Sequence, residues 1–397
     1  GAGLILVTKV LSAEEAFHSL EMGVDWDVIF LLLGMMLIVG VLWETGLFEY
    51  LAIWSAKRAG GRPFRILVIL SLVTAVASAL LDNVTTVLLV APVTLLIAER
   101  LGVSAVPYLL AEALASNIGG TATLIGDPPN IIIASVAGLS YLDFVVNLAP
   151  IVVLLLVIFL FMAKPMFGKS LEGDPERVAE VMSLNEREAI TNPGLLIRSL
   201  AVLTVVTLAF LFHSFLGYEP VVIALIGGGL LLLVSGLDQG DLLKDIEWGT
   251  LAFFLGLFVM VGGLIKTGVI ETIAEQASTL TGGRTFLASM LVLVISGALS
   301  GIVDNIPYVA AMAPVVSRLT SELSSGNVLW WSLALGADLG GNATAVGASA
   351  NVVVVGLAAR AGQPISFFEF LKYGGLVTVV TVAVSAAYIW FRYFAIA

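Results

Sequence analysis

Residues 66–81 and 145–163 contain no charged side chain, and residues 199–212 repeat the pattern. Runs of this kind settle the fold class before any motif is considered. About 20 apolar residues cross the hydrocarbon layer of a bilayer. Over many such lengths, a backbone that must satisfy its own polar groups in lipid is helical. The rest of the chain agrees: of 397 residues, 59% are hydrophobic and 12% charged, where an average soluble chain carries about 25% charge. The expected fold is an all-α polytopic membrane protein, with the lipid bilayer as its first partner. A net charge of −11 argues against nucleic acid. With no cysteine and only His18 and His213, neither a thiolate nor a histidine metal cluster is available. The chain has no GxxxxGK[ST] loop, HExxH motif or serine–histidine–acid set, so neither ATP hydrolysis nor an enzyme is indicated.

Polar residues interrupt the apolar sequence at two places related by subtraction. The first runs from Asp82-Asn83 through Ala91-Pro92 to Asn117, Gly119-Gly120 and Asp127-Pro128-Pro129-Asn130. Asp304-Asn305 follows Asp82-Asn83 at 304 − 82 = 222, and Ala313-Pro314 follows Ala91-Pro92 at the same offset. Gly340-Gly341, Ala343-Thr344, Gly347 and Asn351 follow Gly119-Gly120, Ala122-Thr123, Gly126 and Asn130 at 340 − 119 = 221. Upstream, Trp248, Gly256, Gly262 and Thr267-Gly268 match Trp26, Gly34, Gly40 and Thr45-Gly46 at 222. One single-residue gap separates two long stretches of agreement, which reads as an internal duplication. The division is a first repeat over 1–163, a charged linker over 164–192 and a second repeat over 193–397.

Topology follows from counting. The run 1–10 corresponds to 221–235, and 193–215 has no counterpart at the N-terminus. The given sequence is thus expected to lack part of its beginning, and without basic residues ahead of it the run is not a signal peptide. Residues 12–26 read as an amphipathic connector and 27–50 as the first span. Lys57, Arg58, Arg62 and Arg65 place the loop 57–65 in the cytoplasm, and the linker 164–192 with it. The arms 66–81 and 84–97, each short for a span, predict a re-entrant hairpin tipped by Asp82-Asn83, the alternative being two ordinary helices with a polar loop at the far surface; parity is the same either way. Residues 105–137 predict a span broken at its glycines and prolines. The second copy has arms 286–303 and 306–319, a broken span 328–359, and 376–394. Between the connectors 12–26 and 237–247 lie five crossings: 27–50, 105–137, 145–163, 193–215 and 221–235. An odd number inverts the second repeat, the arrangement of a secondary transporter.

Polar backbone breaks and carboxylates at bilayer depth are costly and mark function. Asn83 and Asn305 sit at the tips as site ligands or interhelical bonds. Asp82 and Asp304 hold a cation, exchange a proton, or cap the next half-helix. Thr85 and Thr86 face the same cavity or bond back within their helix. Asn117, Thr121, Thr123, Asp127 and Asn130 flank the first break, and Asp338, Asn342, Thr344 and Asn351 the second. Gly119, Gly120, Gly340 and Gly341 supply free backbone angles and close approach. Asn117 aligns with Asp338 and Asp127 with Ala348, so the repeats differ in chemistry. Glu112 is read as a proton carrier or a satisfied core acid, Glu44 and Lys266 as span-end residues, His213 as interfacial, and Met35-Met36 as packing.

The Asp82-Asn83-Val84-Thr85-Thr86 tip and the Gly126-Asp127-Pro128-Pro129-Asn130 break resemble the ArsB/NhaD branch of the ion transporter superfamily, most nearly the ArsB-like permeases that include the melanosomal P protein, with a citrate transporter-like domain. The resemblance covers nearly the whole chain. It implies an integral protein of a prokaryotic inner membrane, often a homodimer, that moves its substrate by an elevator-like shift. It also implies a small ion or metalloid as substrate and no cofactor beyond a proton or sodium as coupling ion. Arsenite or antimonite efflux coupled to protons is the first expectation and sodium/proton antiport the second, ahead of a dicarboxylate carrier or a channel. Asp82, Asp127, Asp304 and Asp338, with no Lys or Arg in the motifs, repel an anion.

Overall fold

The computed structural model describes residues 1–168, 171, 175–244, 246–324 and 326–395, and every regular element among them is helical. Residues 169–170 and 172–174 of the expected linker lie outside this set. The first half contains α1 (Ala2–Val7), α2 (Ala13–His18), α3 (Trp26–Trp43), α4 (Leu47–Arg58), α5 (Pro63–Leu80), α6 (Asn83–Leu101), α7 (Val106–Gly120), α8 (Pro128–Ala137), α9 (Tyr141–Asn147) and α10 (Ala149–Phe167). After α11 (Pro175–Ser183) come α12 (Pro193–Leu211), α13 (His213–Leu216), α14 (Pro220–Ser235), α15 (Gln239–Lys244), α16 (Trp248–Lys266) and α17 (Val269–Thr281). The chain then runs through α18 (Thr285–Leu299), α19 (Asn305–Leu323), α20 (Val328–Gly341), α21 (Ser349–Arg360) and α22 (Phe367–Trp390). Prolines open α5, α7, α8, α10, α12 and α14, where the missing amide donor has no helical partner to lose. Among the described residues seven helices are long and apolar enough to cross a bilayer.

Contacts between helix ends sort them onto two surfaces. On the basic surface Lys57 Nζ meets Glu186 Oε2 at 2.5 Å, and Thr191 donates to Glu44 O at 2.5 Å. Arg198 near the start of α12 reaches Val234 near the end of α14. Gly102 after α6 faces Arg177 of α11, and Gln363 after α21 accepts from Ser104 and Ala105 just before α7. On the opposite surface Ser135 of α8 meets Asp25 before α3, and His213 after α12 accepts from the Tyr141 amide at 3.3 Å. There too Asn147 accepts from Tyr388 of α22, Arg318 of α19 pairs with Glu271 of α17, and Lys266 pairs with Glu15 at 2.6 Å. The Lys266 ammonium holds the Glu15 carboxyl down to about 2.

From this, α5 leaves the basic surface and α6 returns to it, whereas α18 and α19 do so on the opposite surface. Both pairs are re-entrant hairpins of opposite sense. The arms α5 and α6 have 18 and 19 residues, longer than the sequence suggested, so tip position rather than arm length identifies the hairpin. The pair α7–α8 crosses from the basic to the opposite surface, and α20–α21 crosses back. Five crossings, α3, α7–α8, α10, α12 and α14, separate the connectors, as expected. The first span differs from expectation. It ends at Trp43, because Gly46 adopts φ 73° and a Cβ there would lie 1.9 Å from Ala189 O; residues 47–58 form the separate helix α4.

The halves interlock. Helix α14 packs on α3 of the first repeat and α1 on α16 of the second. At the α3–α14 crossing a Cβ on Gly34 would lie 2.6 Å from Ala224 C, the close small-residue packing of membrane helices. Within each repeat the hairpin is pinned to the break by matching bonds. Ser78 donates to Ser116 O at 2.7 Å and Ser300 to Ala337 O at 2.6 Å. Thr123 donates to Ala79 O at 2.6 Å and Thr344 to Gly301 O at 2.7 Å.

Two predictions follow from this packing. A Cβ on Gly119 would lie 2.2 Å from Ala75 O, whereas one on Gly356 meets nothing within 4 Å. Gly119→Ala is expected to lower stability by roughly 1–3 kcal/mol and Gly356→Ala not to, read by thermal unfolding in detergent. Because the chain has no cysteine, Arg187→Cys and Glu275→Cys give clean topology probes. An impermeant maleimide should label Glu275→Cys only in intact cells and Arg187→Cys only in everted vesicles.

Candidate functional site

The two breaks, residues 121–127 and 342–348, meet at the centre of the molecule. Each is closed by an asparagine one turn into the following half-helix. Asn130 donates to Thr123 O at 3.0 Å, and Asn351 donates to Thr344 O at 2.8 Å and Gly341 O at 2.8 Å. Backbone carbonyls that have lost their helical amide are satisfied this way without water. Asn117 of α7 then joins the repeats. Its Oδ1 accepts from Asn83 at 3.0 Å, and its Nδ2 donates to Asn342 Oδ1 at 2.9 Å and Asn351 Oδ1 at 3.1 Å. The second tip enters from the other side: Asn305 donates to both Asp127 oxygens at 3.3 and 3.4 Å, and its backbone amide donates to Gly347 O at 3.0 Å.

Asp338 occupies the place in α20 that Asn117 occupies in α7. As Asn117 meets Asn342 and Asn351, so Asp338 lies beside Thr121 and Asn130. Asp127 and Asp338 are 0% exposed, within electrostatic reach of each other. Neither Asp338 oxygen has a hydrogen-bond partner among the described residues, and neither does Asn130 Oδ1. The core therefore places carboxylate and amide oxygens that make no hydrogen bond among the described residues beside a second carboxylate, an acceptor-rich arrangement suited to a proton or a hard cation.

Other expected site residues have definite structural work. Asp82 caps α6 by accepting from Thr85 N at 2.7 Å. Asp304 caps α19 through Ile306 N at 3.0 Å and also accepts from Ser349 Oγ at 2.8 Å. Thr121 bonds back to Asn117 O, and Thr123 and Thr344 hold hairpin to break. Thr86 is buried with an unpartnered hydroxyl, whereas Thr85 faces a cavity. Gly119, Gly120, Gly340 and Gly341 have no positive φ, so free backbone angles are not their role. They allow close approach: a Cβ on Gly120 would lie 2.3 Å from Gly126 O and one on Gly340 2.6 Å from Gly297 O.

Three cavities follow one another along α3. The outermost, about 350 Å³, is lined by Asp27, Ser135, His213 and Glu219 on the opposite surface. It shares Ile131 with a central cavity of about 50 Å³ lined by Met35, Met36, Asp82, Thr85, Glu247 and Ser349. Met36, Thr85 and Glu247 continue into a third, about 270 Å³, beside Trp43 and Glu44. No lysine or arginine lines any of the three. Sequence reasoning missed Glu247, although it precedes Trp248 as Asp25 precedes Trp26 at the repeat spacing. Met35 and Met36 line the central cavity rather than only packing.

The citrate transporter family model matches residues 1–336. The chain belongs to the citrate transporter family. An uncharacterized transporter of Mycobacterium tuberculosis is 53% identical over 397 residues, covering 99% of this chain and 92% of that protein. The human P protein is 32% identical across 92% of this chain and 53% of its own length. The crystal structure of the Alcanivorax borkumensis YdaH transporter shares the fold, with TM-score 0.56 and 15% identity, over 91% of this chain and 84% of that one. This citrate transporter family member is a secondary transporter, not an enzyme, and an integral inner-membrane protein.

Asn117 is the test of the family member's core. Asn117→Ala removes three bonds and strands buried amides, at roughly 1–3 kcal/mol for each group left unmade. A fall in thermal stability larger than that of Thr85→Ala is expected in detergent melts.

Proposed function

We propose that this transporter couples solute movement to protons, and that Asp127 and Asp338 with Asn130 form the coupling-ion site. The observation that carries the proposal is a pair of fully buried carboxylates at the meeting of the two breaks, with no lysine or arginine lining the three cavities. A buried carboxylate without a cationic partner is stabilised by binding a cation or a proton. A citrate or dicarboxylate anion would be repelled unless a bound cation cancelled its charge.

The substrate reading that fits this acidic, amide-rich core is a small neutral hydroxide. Arsenite or antimonite efflux of the ArsB type, with a proton as counter-ion, is therefore preferred. Recognition would run through Asn and Thr groups, since thiolate is absent. Sodium/proton antiport is the second reading, favoured by the unpartnered oxygens of Asp338 and Asn130, which offer sodium ligands directly. No other cofactor enters either scheme. A homodimer and an elevator-like shift of the hairpins and broken helices against α3 and α16 complete the proposal. They rest on the family resemblance and on the line of cavities between those parts.

Everted vesicles separate the readings. Proton-driven arsenite uptake supports the first, sodium-induced proton release supports the second, and absence of both rejects both. Asp338→Asn is expected to lower whichever activity is found by about tenfold or more, the equivalent of about 1.4 kcal/mol of ion binding, without loss of the folded protein. A single-channel conductance would replace both readings with a pore.

A further inference from the structure

We infer that Glu112 of α7 is a proton-binding site in its own right, set between the core and the basic surface. It lies five residues before Asn117, about 7 Å along the helix axis at 1.5 Å per residue. The side chain is 1% exposed. Its Oε1 accepts from Thr94 Oγ1 of α6 at 2.5 Å, while Oε2 is buried with no partner among the described residues. Among the described residues Tyr108, one turn away on the same helix, is the ionisable group within electrostatic reach of it, and its hydroxyl donates to Pro63 O at 3.1 Å. Helices α5, α6, α10, α20, α21 and α22 pack on α7, and among the described residues none of them forms an ion pair with the carboxyl.

The second repeat supplies an internal control. At the repeat spacings Thr94 corresponds to Val316 (316 − 94 = 222) and Glu112 to Leu333 (333 − 112 = 221). Both apolar residues are 0% exposed, and α19 packs on α20 as α6 packs on α7. The same helix pair is thus made with buried aliphatic residues at both positions, and the acid is not what holds it together. A fully buried carboxyl that forms no ion pair among the described residues accommodates one positive species, the proton. Tyr108, Glu112 and Asn117 also mark successive levels of α7 from the basic surface to the core. Ser71 and Thr74 of α5, which packs along α7, hold buried unpartnered hydroxyls. The step involves only the O–H bond: Oε2 takes a proton from the basic side and gives it up again.

Infrared difference spectroscopy on the full protein in liposomes tests this with the proton alone as probe. In the native protein a neutral-carboxyl C=O band should disappear on raising the pH and return on lowering it. The band should be lost in Glu112→Gln and in the double variant Thr94→Val/Glu112→Leu, which copies the second repeat, while both keep their thermal unfolding transition. It should persist in Asp338→Asn, so failure here is distinct from failure of the coupling site proposed above. A band present at every pH, no difference between native protein and variants, or failure of both variants to fold overturns the inference.

Discussion

The structure depends on how broken backbone is satisfied where no water is at hand. Each repeat unwinds a helix at the centre of the molecule, and each unwound carbonyl would be costly in lipid. Asn130 and Asn351 answer this locally by donating to Thr123 O and Thr344 O, and Thr123 and Thr344 tie the hairpins down in turn. Asn117 then bonds across to Asn342 and Asn351, so that neither break is complete without the other repeat. The exchange of α14 onto α3 and of α1 onto α16 extends the same interdependence to the periphery.

Near-symmetry of backbone carries an asymmetry of chemistry. Asn117 faces Asp338, Asp127 faces Ala348, and Glu112 faces Leu333 across the repeat relation. Leu32 and Met36 beside the central cavity become Phe254 and Phe258, both buried. Matching packing thus supports an amide junction on one side and, on the other, a carboxylate with no hydrogen bond among the described residues. A symmetric site would bind the same species twice. This one sets acceptor-rich and amide-rich parts side by side, and the proposed coupling of an ion to a different solute rests on that difference.

Much of this was legible in the chain. The offsets of 222 and 221 located both breaks and both tips, and the odd number of crossings between connectors fixed their inversion. The charged loop at Lys57 and the linker at Glu186 were placed on one surface, and they touch. Less visible were features that depend on neighbours distant in sequence. Gly46 ends the first span because Ala189 O occupies the space beside it. The glycine pairs serve close approach rather than unusual backbone angles. Asp82 and Asp304 are engaged as caps, while carboxylate oxygens without a hydrogen bond among the described residues belong to Asp338 and, outside the motifs, to Oε2 of Glu112.

Sequence alone determined the membrane class, the duplication, its inversion and the identity of the polar residues at depth, because hydropathy, repeat spacing and crossing parity are properties of a line. Only tertiary structure decided which polar groups satisfy one another and which remain unpaired. Hydrogen-bond satisfaction is a matter of geometry between segments more than two hundred residues apart, and no local pattern encodes that Asn117 finds two acceptors while Asp338 lies beside Thr121 and Asn130 without closing a hydrogen bond among the described residues.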